Sequence, residues 1–184
     1  MAKKFRLYPE ISRRVIKNAI ELIKEKNIHI SINLSLSDIL NIEMRNYILK
    51  ILRDYQIGEY LTFELLEDES IESSFEVIEF IGFVKMYGVK ISIDDFGSGY
   101  SNFSYLSKMK VDFIKIDGSL IRNLDKDDIS HAIVEAIVTF AKELKIKTIA
   151  EFVENEDIWN IVKELDVDCS QGYFCGKPSP KILD

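Results

Sequence analysis

Cysteine, proline and histidine are scarce in these 184 residues, and each scarcity removes a class of explanation. Two cysteines, Cys169 and Cys175, are too few for a disulfide framework, and their spacing is not that of a CxxC pair. A reduced, cytoplasmic setting is the resulting expectation. No proline stands between Pro9 and Pro178, and no Gly/Ser-rich or low-complexity stretch interrupts the chain. One domain over residues 1–184, with no internal linker, follows from that continuity. No apolar run approaches the roughly 18 residues that a membrane span requires, so no membrane segment is expected. The opening MAKKFRLYPE is basic but carries no apolar stretch of the kind that marks a secretion signal. His29 and His131 lie on different predicted elements without ligand spacing and read as surface or packing residues. Positive charge is the remaining deficit: 24 Lys and Arg against 31 Asp and Glu leave a net charge of −7. Binding to DNA or RNA polymers, whose affinity rests on phosphate neutralisation, is thereby disfavoured. An anionic ligand would need a local cation, either a metal or a placed lysine.

What is present is an alternation of helical and extended patterns. With 47% apolar and 30% charged residues, the composition is that of a globular chain long enough for a real core. ISRRVIKNAIELIKEK (11–26) places Val15, Ile16, Ala19, Ile20 and Ile23 on one helical face. IHISIN (28–33) reads as a strand and DILNIEMRNYILKILRDY (38–55) as one amphipathic helix. Strand YLTFEL (60–65), helix SSFEVIEFIGFVKMYG (73–88) and strand VKISI (89–93) follow, with Glu76, Glu79 and Lys85 on a solvated face. Next come strand VDFIKI (111–116), helix DISHAIVEAIVTFAKELK (128–145), strand KTIAEFV (147–153) and helix EDIWNIVKELD (156–166), in which Trp159 reads as core. DCSQGY (168–173) makes a last short strand. Such alternation implies parallel strands joined by right-handed crossovers.

Polar residues recur at the strand ends: Asn33, Glu64, Asp94 with Asp95, Lys115, Glu151 and Gln171. In a TIM-like (β/α) barrel these ends share one face, where active sites are built, whereas an open sheet would spread them. The barrel is favoured. Only about six strands are legible, however, against the eight of a closed barrel, and the chain opens on a helix. Asn33, Glu64, Asp94, Asp95 and Glu151 are all oxygen donors, a set suited to Mg²⁺ or Mn²⁺ and to phosphoryl chemistry. One or two cations would relieve the repulsion between adjacent Asp94 and Asp95. Lys115 could position an attacking water, and Glu151 could hold metal or act as a base. A plainer reading stands beside this one. Asp94-Asp95 would be a solvated turn, Gly97-Ser98-Gly99 only a bend, Lys115 a partner for Asp117 or Asp94, and Glu151 a strand-end ion-pair partner.

INLS (32–35), FELLE (63–67), DDFGSGYSNFSYL (94–106), VDFIKID (111–117), AEFVEN (150–155) and QGYFCGKP (171–178) resemble, in order and approximate spacing, the EAL domains. These are phosphodiesterases that linearise the bacterial messenger cyclic di-GMP. The resemblance runs from about Pro9 to Pro178. It implies an eight-stranded barrel with one antiparallel strand, cyclic di-GMP as ligand, Mg²⁺ or Mn²⁺ as cofactor, and a homodimer or other self-association. It makes Asn33, Glu64, Asp94, Asp95 and Glu151 the metal ligands. Lys115 holds the attacking water, Gln171 supports the site, and Glu67 orders the loop from Phe96 to Ser101.

Three departures qualify that picture. Leu66 stands where the family has Thr, and Phe152 where it has Gly, so Phe152 should crowd a place meant for a hydrogen. The Glu-Ala-Leu segment that names the family, with its phosphate-contacting Arg, occurs nowhere in these residues. The chain is therefore expected to be the C-terminal part of such a domain, lacking the first two strands. By itself it should be inactive or impaired, prone to edge pairing and disordered near Met1–Pro9. The alternative is a degenerate module that binds cyclic di-GMP or a partner protein without catalysis.

Overall fold

The structure, a computed structural model, describes residues 2–67, 75–99 and 104–179. Contacts divide the chain into two compact units, Met1–Ser92 with Phe103–Val111 and Ile93–Asn102 with Asp112–Asp184.

The first unit opens with helix α1 (Ala2–Lys26), which is longer than its apolar stripe predicts and runs through Pro9. Ile16, Ala19, Ile20 and Ile23 are buried as their spacing requires, but Val15, the outermost of the predicted face, is 47% exposed. Strand β1 (Ile30–Asn33) leads to α2 (Leu36–Leu40) and α3 (Ile42–Tyr55), where a single helix had been expected. The break is Asn41, whose backbone is extended and whose side-chain oxygen accepts hydrogen bonds from the Glu43 and Met44 amides. Asn competes for local amides in this way and so starts a helix better than it continues one. A capping box of Ser35 and Asp38 begins α2.

A 3₁₀ turn (Gly58–Tyr60) precedes β2 (Leu61–Leu66); α4 (Phe75–Met86), the start of β3 (Lys90–Phe96) and α5 (Ser104–Met109) complete this unit. Strand order is β1-β2-β3. β1 and β2 run parallel, with Asn33 opposite Glu64 in register. Glu76 and Glu79 lie exposed on α4 and Lys85 is half-buried.

The second unit holds the end of β3, then β4 (Phe113–Ile116), α6 (Gly118–Ile121), α7 (Asp128–Glu143), β5 (Lys147–Ala150), α8 (Glu156–Glu164) and β6 (Cys169–Ser170). Its strand order is β3-β4-β5-β6, and β4–β5 and β5–β6 are parallel. Parallel strands need crossovers, and the helices between them supply these. Asp127 and Asn155 cap α7 and α8 by accepting backbone amides. Ile114, Ile116, Val134, Ile137, Ala141 and Val153 are buried in this unit's core. Trp159 departs from its expected core role. Ile158 and Val162 are the buried residues of α8, whereas Trp159 carries the Lys163 ammonium over its ring at 3.5 Å.

Candidate functional site

β3 and β4 deliver the chemistry of the second unit. Successive strand residues face opposite sides, so the order Ile93-Asp94 and Ile114-Lys115 sends one apolar side chain to the core and one charged group the other way. Lys115 is only 5% exposed. Its Nζ donates to Asp94 Oδ1 at 2.7 Å and pairs with Glu151 Oε1 at 2.9 Å. Of the two pairings that the plainer reading offered Lys115, Asp117 or Asp94, the one with Asp94 is present, and Glu151 joins it.

Asp94, Asp95 and Glu151 each offer a carboxylate oxygen, and these atoms lie within 4.8 Å of one another. Burial raises the pKa of Glu151, partly offset by the Lys115 hydrogen bond and charge and reinforced by Asp94 and Asp95. Asp95 is raised too, first by burial and then by the charges of Asp94 and Asp117. One ammonium therefore does not compensate three carboxylates. A donor set made wholly of carboxylate oxygen, with its negative charge under-compensated, fits a hard divalent cation.

Glu151 lies just past β5, not within it as the sequence reading had it. Phe152 takes a left-handed φ of 54° and turns the chain there. The bend is held from both sides. The Glu151 amide donates to Ile116 O at 3.3 Å and the Val153 amide to Gln171 O at 3.0 Å. Gln171 likewise sits beyond β6, its amide donating to Ala150 O at 2.8 Å.

The crowding expected of Phe152 is absent because the opposing residue is a glycine. Any Cβ on Gly118 would lie 2.2 Å from Phe152 Cδ2, so the ring occupies the space which that Cβ would have taken. Beyond this stretch opens a cavity of about 640 Å³, bordered by Arg122, Glu151, Phe152, Gln171, Tyr173 and Lys177 among others.

Two further residues border the cluster or its cavity: Asp117, read from the sequence only as a partner for Lys115, and Arg122, which the sequence reading did not single out. The Asp117 carboxylate faces Asp95 while accepting from the Ser119 amide at 2.8 Å and from its hydroxyl. Its position two residues after Lys115, on the same alternating face, was the available signal. Arg122 borders the cavity from beyond α6, and nothing in its local pattern announces that.

Asn33 and Glu64 belong to the first unit, at the paired ends of β1 and β2, exposed and half-buried respectively. Glu67, half-buried, follows β2. Of the loop that Glu67 was expected to order, Phe96–Gly99 are described, whereas Tyr100 and Ser101 lie outside the described residues. Among the described residues no helix is long and apolar enough to cross a membrane.

The family model described as EAL domain matches residues 1–178. Cyclic di-GMP phosphodiesterase PdeB of Shewanella oneidensis is 34% identical over 185 residues, covering 97% of this chain and 22% of that protein. Cyclic di-GMP phosphodiesterase PdeA of Borreliella burgdorferi is 34% identical over 184 residues, covering 96% of this chain and 27% of that one. The chain thus spans about a fifth to a quarter of the length of these curated relatives. The solved PaMucR phosphodiesterase, in complex with c-di-GMP, matches with a TM-score of 0.83 and 26% identity, over 97% of this chain and 74% of that one. The fold class is that of the TIM-like barrels, with six strands among the described residues.

Proposed function

The chain belongs to the EAL domain family, and on that premise we propose that its domain hydrolyses one phosphodiester bond of cyclic di-GMP in a reaction dependent on Mg²⁺ or Mn²⁺. The observation that carries this reading is the Asp94–Asp95–Glu151 cluster with Lys115 inserted in it. A divalent cation bound there supplies charge for the phosphoryl oxygens and acidifies a water at neutral pH.

The chain's own residues do the rest. Lys115, held by Asp94 and Glu151, is an ammonium placed at the cluster where a water or a phosphoryl oxygen would meet it. Glu151, its pKa raised mainly by burial, is suited to take a proton from that water. Asp94 and Asp95 would hold the cation, and the family pattern would add Asn33 and Glu64 to the ligand set, Gln171 as support and Glu67 as the loop-ordering residue. The same reading makes residues 1–184 part of one EAL-type domain that works in the cytoplasm, where Cys169 and Cys175 remain free thiols. It also has the domain self-associate, which sedimentation would check.

No Glu-Ala-Leu tripeptide occurs in the sequence. This chain by itself should therefore bind the cation and the dinucleotide but turn over slowly, because transition-state charge is what the full ligand set stabilises. The missing Glu-Ala-Leu segment with its Arg is what favours the second reading, a module that binds without catalysis. Assaying linear dinucleotide formation with Mn²⁺, in this chain and in a longer protein containing it, separates the two. The enzyme reading predicts turnover in the longer protein, abolished by Asp94→Ala and reduced in kcat more than in KM by Lys115→Ala. Binding without turnover in the longer protein would select the binding module.

A further inference from the structure

Arg122 stands apart from the ligand set, yet it is held in a defined place. Its guanidinium carbon lies 3.9 Å from the centroid of the Phe152 ring, and its Nε lies 3.7 Å from Glu154 Oε1. The ring is in turn seated on Gly118, where no Cβ could be accommodated. A phenylalanine in left-handed backbone is costly, of the order of 1–2 kcal/mol, so the seat on Gly118 and the contact with Arg122 are what offset it. The result is an arginine supported on an aromatic face, which spares it much of the entropy of ordering a free side chain. It borders the same cavity of about 640 Å³ as Glu151, Gln171 and Lys177. In a chain of net charge −7, Arg122 and Lys177 are the cations of that wall, and Lys177 is further committed to the Tyr173 ring at 5.6 Å.

We propose that Arg122, supported by Phe152, contacts an anionic phosphate group of the ligand bound in this cavity. The inference rests on the phosphodiesterase reading and adds to it an anchoring residue that comes with the Phe152 departure. A guanidinium edge-on to phosphate makes two parallel charge-assisted hydrogen bonds, which a lysine cannot reproduce.

The test measures cyclic di-GMP affinity in the presence of Ca²⁺, with thermal melting as a control for folding. Arg122→Ala is expected to weaken binding about tenfold, the equivalent of one charge-assisted contact. Arg122→Lys should fall between that variant and the wild type. Phe152→Gly, which removes the ring and also relieves the backbone, should weaken binding although it removes no charge. The double variant should be no worse than Arg122→Ala, because the two side chains act as one unit. Wild-type affinity in Arg122→Ala would overturn the proposal, and wild-type affinity in Phe152→Gly would overturn the supporting role of the ring. If the wild-type protein fails to bind the dinucleotide, the phosphodiesterase reading falls separately. Titration with inorganic pyrophosphate, followed on the Arg122 Nε–H NMR signal, then decides: a saturable shift supports the anion contact and an unmoved signal overturns it.

Discussion

The ends of β3 and β5 face the same problem and meet it with different residues. Each strand brings a carboxylate toward Lys115 and then turns through a left-handed residue that is not glycine: Asp95 at φ 55° and Phe152 at φ 54°. At β3 the turning residue is itself a member of the acidic cluster, and Asp tolerates this conformation better than most side chains. At β5 the cluster member is Glu151, and the turning residue is an aromatic that has no such tolerance. It is held instead from outside, by the Gly118 seat and the Arg122 guanidinium. One end is thus shaped by chemistry that the cluster needs in any case, the other by packing that had to arise elsewhere in the chain. A strained residue beside a functional group persists only where its surroundings over-determine it, and β5 shows which surroundings those are.

The largest expected effect comes from the lysine that both ends share. Lys115→Met leaves buried carboxylates without their cation and should cost roughly 3–5 kcal/mol in chelator-treated protein. Urea denaturation measures it, and saturating Mg²⁺ should restore part of the loss. Next is Gly118→Ala, which places a Cβ against the Phe152 ring and should cost about 1–3 kcal/mol. That penalty should nearly vanish in a Phe152→Gly background, and equal penalties in both backgrounds would break the proposed difference between the two strand ends. Phe152→Gly alone should change stability by less than about 1 kcal/mol, since strain relief and lost contacts oppose one another.

The smallest effect is a pH dependence on the β3 side. Folding raises the Asp95 pKa, chiefly through burial and then through Asp94. Well below its unfolded value, about 3.9, the group is protonated in both states and carries no penalty. As pH rises past its unfolded value, the unfolded chain ionises first and the folded state loses stability until Asp95 ionises there as well. In chelator, Asp95→Asn should therefore gain on the wild type as the pH rises above about 4, and Mg²⁺ should shrink that gain. A pH-independent difference would show that the β3 end carries no such charge stress.

Much of this was legible before any coordinates. The 3.6-residue spacing of Ile16, Ala19, Ile20 and Ile23 specified α1, and the strand-end acids with Lys115 marked the cluster because charged groups follow apolar strands there. Helix 38–55 was misread because apolar periodicity continues across Asn41, while the break depends on where one side-chain oxygen points. Glu151 was placed inside a strand because AEFV has strand composition, and only the left-handed turn at Phe152 ends it. Gly118 as the seat for Phe152, and Arg122 against its ring, lie far from it in sequence, and no local pattern encodes such a pairing.

The central claim is that the Asp94–Asp95–Glu151 cluster holds a divalent cation, and Mn²⁺ titration of the wild type and of Asp94→Asn, followed by electron paramagnetic resonance, tests it most directly. The account predicts saturable binding in the wild type, weakened about tenfold or more when one charged ligand is lost. Equal Mn²⁺ binding by the two proteins would contradict it.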